Sequence, residues 1–275
     1  MENMQEILSA FQLEGRVTEV EPINSGHINQ TYLVITTMKK YILQKINNHL
    51  FTNVEQLMHN IQLTTEFIGE KITSEGLKDI EALTLVPNKD GASFLRTEAG
   101  YYRVYRYVDN SVCYQLVQKP EHFYEAAIGF GSFARFLADF PAAELYEILP
   151  DFHNTRKRFA TFEEAIAKDI VNRRAEVLNE IAFIKERKAI CGKIVDLLAN
   201  GKMPLKVTHN DTKLNNVLFH KETNKSLAII DFDTIMPGSI CYDFGDAIRF
   251  GCSSAPEDER DLSHVHFLLD LFEEY

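Results

Sequence analysis

Residues 205–233 read Leu205-Lys-Val-Thr-His209-Asn-Asp211-Thr-Lys-Leu-Asn-Asn216, then Val217-Leu-Phe-His-Lys-Glu-Thr-Asn-Lys-Ser-Leu-Ala-Ile-Ile-Asp231-Phe-Asp233. The apolar run Leu205–Val207 predicts a short strand leading into a polar loop. Val217–Phe219 and Leu227–Phe232 are β-branched and aromatic runs on either side of the turn KETNK, the pattern of a hairpin. A five-residue offset within a loop lets Asn216 fold back beside Asp211. The hairpin then returns Asp231, fifteen residues after Asn216, to the same place.

Outward from this stretch, the chain divides into two unlike halves. Before residue 109, Val17–Ile23, Gln30–Thr36 and Tyr41–Ile46 are short strand-like runs joined by the turns NSGHIN and TMKK, which predicts an antiparallel meander. Val54–Ile72 carries apolar residues at helical spacing, and Ala82–Val86 and Tyr101–Val108 complete a five-stranded sheet around one helix. After residue 108, Glu121–Phe140 and Phe162–Asn200 are helical regions, Asn154–Lys157 reads as a polar loop, and Leu262–Tyr275 reads as a helix. The expected architecture is α+β and bilobal. Residues 1–108 form a sheet lobe, and 109–275 form a mainly helical lobe with the loop and hairpin embedded in it.

Composition narrows the partners. The 275 residues hold 29 basic and 40 acidic side chains, a net charge of −11, so no cationic surplus is available to neutralise nucleic-acid phosphates. No apolar run is long enough to span a membrane. The acidic N-terminus does not resemble a secretion signal. The four cysteines form no C-x-x-C pair, which predicts reduced thiols and a cytoplasmic location.

The chemistry rests on Asp211, Asn216 and Asp231. Phosphoryl transfer from a nucleotide needs a carboxylate to orient the attacking hydroxyl and accept its proton. It also needs an amide oxygen and a second carboxylate to hold magnesium against the phosphates. These three residues offer those groups, and Asp-x-x-x-x-Asn is the spacing of the protein-kinase catalytic loop.

With the segments Ser25-Gly-His-Ile-Asn-Gln-Thr31, Tyr41-Ile-Leu-Gln-Lys-Ile-Asn47, Phe152-His-Asn-Thr155, His209–Asn216, Ile230–Gly238 and Tyr242–Arg249, nearly the whole chain resembles the aminoglycoside/choline kinase (phosphotransferase) family of the protein-kinase-like fold. Within it, the FHNT, DTKLNN and MPG…YDFGDAIRF segments are most similar to the N-acetylhexosamine 1-kinases. The resemblance implies Mg²⁺ as cofactor and ATP as co-substrate, with Asp211 as catalytic base and Asn216 and Asp231 as magnesium ligands. It implies transfer to a sugar hydroxyl, the anomeric one of an N-acetylhexosamine. Choline, an aminoglycoside or homoserine is the alternative acceptor, and a non-catalytic nucleotide-binding module is the alternative class. His209 and Asp243 become structural at the site, with Asp243 bracing the loop, while His27 and Arg249 join Asp211 as acceptor contacts. Arg249 has a second reading, as an i,i+3 salt bridge to Asp246.

Two departures follow. The family's glycine-rich loop is reduced to Gly26, leaving loop amides with Ser25 or His27 to cradle phosphate. Family members also continue for several helices beyond the point where this chain stops, so the expectation is a C-terminally truncated chain. On the nucleotide side, Lys45 is the candidate phosphate-pairing lysine, with Glu55 or Glu66 as its helix partner. Arg106, Tyr107 and Val108 mark the lobe connection, where backbone groups could meet adenine. Asp233 is either a second metal contact or a turn former.

Overall fold

The structure, a computed structural model, describes residues 4–23, 28–117 and 119–275. It begins with a short helix α1 (Met4–Ser9) and three strands, β1 (Val17–Ile23), β2 (Gln30–Thr36) and β3 (Lys40–Ile46). Helix α2 (Val54–Ser74) is followed by β4 (Leu85–Val86), β5 (Leu95–Thr97) and β6 (Gly100–Arg106). All six strands form one antiparallel sheet, ordered β1-β2-β3-β6-β4, with β5 also paired to β6. The extra strand, β5, is a three-residue edge piece, and the Ala82–Val86 run contracts to two residues.

The sheet is covered on both faces. Successive strand residues point to opposite sides. Val34, Tyr41, Leu43, Tyr102 and Val104 therefore share an outer face, which α1 seals with Ile7 and Leu8. The inner face turns toward α2. Asn53 caps α2, its side chain accepting from the Gln56 N–H at 3.1 Å. The helix buries Val54, Leu57, Met58, Ile61 and Ile68 in a core that continues through the second lobe to Phe123, Phe133 and Phe232. The buried Asn60 Nδ2 donates to the Tyr146 and Ile235 carbonyls at 2.8 and 2.9 Å, and its oxygen accepts from the Tyr146 N–H at 2.9 Å. The α2 helix thus stands on the second lobe as much as on the sheet.

The second lobe opens with β7 (Ser111–Val112) and α3 (Pro120–Phe136), whose first residue is a proline, well placed where no intrahelical donor is needed. Four helices follow: α4 (Thr155–Lys168), α5 (Leu178–Glu186), α6 (Lys188–Cys191) and α7 (Lys193–Ala199). The Asn154–Lys157 loop expectation is corrected here. Asn154 is the N-cap of α4, accepting from the Lys157 N–H at 3.1 Å, and polar residues at that position start a helix.

Strand β8 (Lys206–Thr208) enters the catalytic loop, and β9 (Val217–His220) and β10 (Ser226–Ile229) form the expected hairpin, with β7 added along β9. Strand β11 (Met236–Gly238) pairs with β8, and α8 (Ile240–Gly251) carries the YDFGDAIRF segment. The Leu262–Tyr275 helix is the other correction. Only α9 (Leu269–Glu274) is helical for more than one turn, because Ser253 pairs with Phe267 in an antiparallel bridge that draws the preceding chain out of helical conformation. The fold is the α+β, bilobal architecture expected. No helix among the described residues is long and apolar enough to cross a membrane.

Candidate active site

The catalytic loop is built by backbone anchoring. Both oxygens of the buried Asp243 on α8 accept main-chain N–H groups, Oδ2 from His209 at 2.9 Å and Oδ1 from Asn210 at 2.8 Å. Burial pushes the Asp243 carboxyl up, and His209 with the two backbone donors works against that rise. Asp246, one turn along α8, accepts the Thr212 N–H at 2.9 Å. Asn210 takes a left-handed backbone, φ 67°, which its short amide tolerates by donating to the Thr208 and Thr234 carbonyls. His209 is sealed among Phe130, Phe133 and Phe232, with Nε2 3.0 Å from the Ile230 carbonyl. These contacts fix both sides of Asp211 while leaving its side chain partly open.

Asn216 folds back onto Asp211. Its Nδ2 donates to the Asp211 carbonyl at 2.7 Å and to Oδ2 at 2.9 Å. The Ile230 N–H bonds the Asn216 carbonyl at 2.9 Å, setting Asp231 beside Asn216. Asp231 is reached by solvent yet closely surrounded by protein. Desolvation, the neighbouring Asp233 and, to a smaller degree, Asp211 push its carboxyl up to about 7, with Arg103 opposing the rise.

A site with this surplus of carboxylate charge suits a cation. The Asn216 amide spends its N–H on Asp211 and keeps its oxygen for a ligand. Among the described residues, no group of three or more His, Cys, Asp or Glu could hold a metal. The Asn216 amide oxygen and the Asp231 carboxylate are hard oxygen donors, a donor set that fits Mg²⁺.

The chain brings together groups that the motif reading passed over. Lys213 lies 3.4 Å from Asp211 Oδ1 and 3.1 Å from Glu257. Burial disfavours its charge, but Asp211 and Glu257 hold the ammonium above its ordinary value. Arg249 gives its donors to Asp246 at 2.8 Å and Glu257 at 2.6 Å, so its intrahelical salt bridge is realised and the acceptor-contact expectation is corrected to that extent. His153 stacks on Tyr242 with ring centroids 4.3 Å apart, joining the FHNT segment to α8.

On the sheet side, Arg103 is the residue missed. It is 1% exposed and lies 2.5 Å from Asp233. Burial alone would drive its pKa down, and Asp233 instead holds it above the usual guanidinium value. Asp233 lies in the Phe232–Thr234 turn and is half of a buried ion pair. The signal was present in strand parity, since Arg103 lies on the same face as Tyr101 and Tyr105, but no motif marks it.

Lys45 requires the opposite correction. It pairs with Tyr102 in register and lies over that ring at 5.8 Å, on the face away from Gln44 and Arg103. Gln44 is the β3 residue that meets the cleft, so strand alternation excludes a Lys45 tip there. Glu55 and Glu66 are both exposed on α2, and Glu66 accepts from Gln62 at 2.9 Å; neither pairs with Lys45 among the described residues. At the lobe connection, the Arg106 and Tyr107 N–H groups bond the Thr84 and Lys40 carbonyls at 2.9 and 3.2 Å, so adenine cannot use them. Val108 is buried against Leu227 and Ala228. The Ser25, Gly26 and His27 expectations lie outside the described residues.

Residues 19–271 match the family described as the phosphotransferase enzyme family. Among solved structures, the chain is similar to an aminoglycoside phosphotransferase from Alicyclobacillus acidocaldarius, with TM-score 0.57 and 14% identity, over 90% of this chain and 71% of that one. It is also similar to a microcompartment-associated aminopropanol kinase, with TM-score 0.53 and 17% identity, covering 89% and 72%. A spectinomycin phosphotransferase bound to AMP follows, with TM-score 0.51 and 14% identity, covering 87% and 71%. At these identities the likeness establishes the fold.

Proposed function

We propose, for a chain that belongs to the phosphotransferase enzyme family, that it transfers the γ-phosphate of ATP to a sugar, at the anomeric hydroxyl of an N-acetylhexosamine. The observation that carries the transfer is the convergence of Asp211, Asn216 and Asp231, made by the 2.9 Å amide–carboxylate bond and the 2.9 Å Ile230–Asn216 backbone bond. Asp211 orients the acceptor hydroxyl and takes its proton. Asn216 holds that carboxylate by its N–H, so one oxygen stays fixed while the other is presented. Lys213, against the same carboxylate, places positive charge where the transferred group gains negative charge. Asn216 and Asp231 would hold magnesium, which when bound supplies charge neutralisation along the phosphates. With a loose transition state, positioning and charge stabilisation do most of the work.

The sugar acceptor is supported by the three segments that resemble the N-acetylhexosamine 1-kinases. They pack onto one another around the loop: His153 on Tyr242 and Thr212 on Asp246. Beside Asp211, Lys213 and Arg249 pair with Glu257 and Asp246, so the charge left over there is the Asp211 carboxylate itself. The second reading, an amino-alcohol or aminoglycoside acceptor, draws on what the structural neighbours act on. We place the reaction in the cytoplasm, where the four free thiols persist. An ATP-consumption screen against N-acetylhexosamines, neutral hexoses, choline, aminopropanol and aminoglycosides tests it. Turnover only with the amines would discard the sugar.

A further inference from the structure

One cluster of charge outside the catalytic loop is sealed from water and takes its members from five segments. Arg103 on β6 is held on several sides. Nη1 lies 2.5 Å from Asp233 Oδ1, and Nε and Nη2 both donate to Gln44 Oε1 on β3, at 2.9 and 2.8 Å. Met58 of α2 presents its sulfur to Nη1 at 3.9 Å. The other Asp233 oxygen accepts from Asn29 Nδ2 at 2.5 Å, and Asn29 Oδ1 accepts the Asn47 N–H at 2.9 Å. Asn29 is the last residue before β2, so the cluster ties the start of that strand, the end of β3 and the middle of β6 to the turn after Asp231.

Stability alone does not explain such a pair. Desolvating two charges costs about what their attraction returns, and well-packed apolar residues of the same volume serve a core as well or better. What apolar residues cannot do is fix one carboxylate in one orientation by a separate donor on each of its oxygens. Asp231, two residues away, sits in a left-handed conformation (φ 63°, ψ 64°), a region that costs a non-glycine residue energy and persists only where the surroundings enforce it. The following turn, Phe232–Thr234, contains Asp233 and is closed by the Ile235 N–H on the Phe232 carbonyl at 3.2 Å.

We propose that Arg103, Asp233 and Asn29 form an interlobe clamp that holds Asp231 in its left-handed conformation and so fixes the direction of the carboxylate that would hold the metal. Arg103 and Asn29 are positioning residues for the transfer. Through this clamp the sheet lobe reaches the metal loop from β6, and Lys45, on the opposite face of β3, takes no part in it. The proposal rests on the reading of Asp231 as a metal ligand.

The test compares three variants of the full chain by calorimetry with Mg-ATP and with ATP in EDTA, alongside thermal unfolding and kcat. Asn29→Ala removes one hydrogen bond to a charged group from a half-buried position. It is expected to weaken Mg-ATP binding about 10-fold or more, the usual worth of such a bond, with metal-free ATP binding and the unfolding midpoint close to wild type. The double variant Arg103→Met/Asp233→Leu removes both charges while keeping the volume. It is expected to fold and to show the same selective loss. Asp231→Ala is the reference and should lose the Mg²⁺-dependent part of binding altogether. Wild-type Mg-ATP binding in Asn29→Ala and in the folded double variant, with Asp231→Ala impaired, overturns the clamp and leaves the metal ligand standing. Unchanged Mg²⁺ dependence in Asp231→Ala overturns the metal-ligand reading itself, and the clamp falls with it.

Discussion

The lobe junction and the helical excursion over residues 155–199 hold charged groups of the same kinds in opposite environments. At the junction, Arg103, Asp233 and Asp243 are buried, and each is met by named partners from other segments. In the excursion, only Phe159 and Ile181 are buried among the helices α4 to α7. Its ion pairs, Arg156–Asp196, Lys168–Glu164 and Lys188–Glu163, stand in solvent. A surface pair is screened and loses side-chain entropy, so it constrains little. A buried pair left without its partner is costly, and that cost is what makes the junction geometry single-valued. One region is therefore expected to respond sharply to substitution, and the other hardly at all.

The largest break in that contrast is Asp211→Asn. The amide keeps the shape but cannot accept the hydroxyl proton, so kcat should fall about 10²–10⁴-fold with Mg-ATP binding nearly intact. Near-wild-type kcat in a steady-state assay would remove Asp211 from the role of base. Next is Asp243→Ala, which orphans the His209 and Asn210 N–H groups at a cost of roughly 1–3 kcal/mol each. Denaturant unfolding should show the loss, and activity should fall with it. Full stability would mean that the loop finds other acceptors.

A third outcome depends on pH. The Asp231 carboxyl is raised to about 7 in the folded protein from an ordinary value near 3.8. The native state therefore holds a proton that the unfolded chain has released across that window. The metal-free protein should lose stability through this group as pH rises from about 4 to about 7. In the same window a proton competes with Mg²⁺, so metal-dependent ATP binding should weaken below neutrality by up to about tenfold per pH unit. Calorimetry at pH 6 and pH 8 would show it, and a pH-independent affinity would contradict the raised carboxyl.

Smaller effects probe the excursion. Asn154→Ala removes the α4 cap and should cost about 1 kcal/mol, read as a modest fall in unfolding midpoint with kcat unchanged. Arg156→Ala, on an exposed pair, should move neither midpoint nor activity measurably. A marked loss of activity from either would show that the excursion is coupled to the site.

Legibility followed the range of the interactions. Strands β1 and β2 run over Val17–Ile23 and Gln30–Thr36 as the alternation predicts, and α2 extends the apolar periodicity of residues 54–72 by one half-turn. The Asp211–Asn216 pairing was readable because five residues of loop close on themselves. The chain by itself therefore determined the main strands and helices of the sheet lobe, the hairpin and the three groups expected to carry chemistry, since those depend on neighbours within one turn or one hairpin. It did not determine which face of β3 meets the cleft. Alternation separates Gln44 from Lys45 without saying which looks inward, and the answer waits for α1 to cover one side and α2 the other. Nor could it pair Arg103 with Asp233, 130 positions apart, or Asn60 with Tyr146 and Ile235. A buried charge or amide must find its partner wherever packing brings one. That choice belongs to the assembled core, where water no longer offers an alternative.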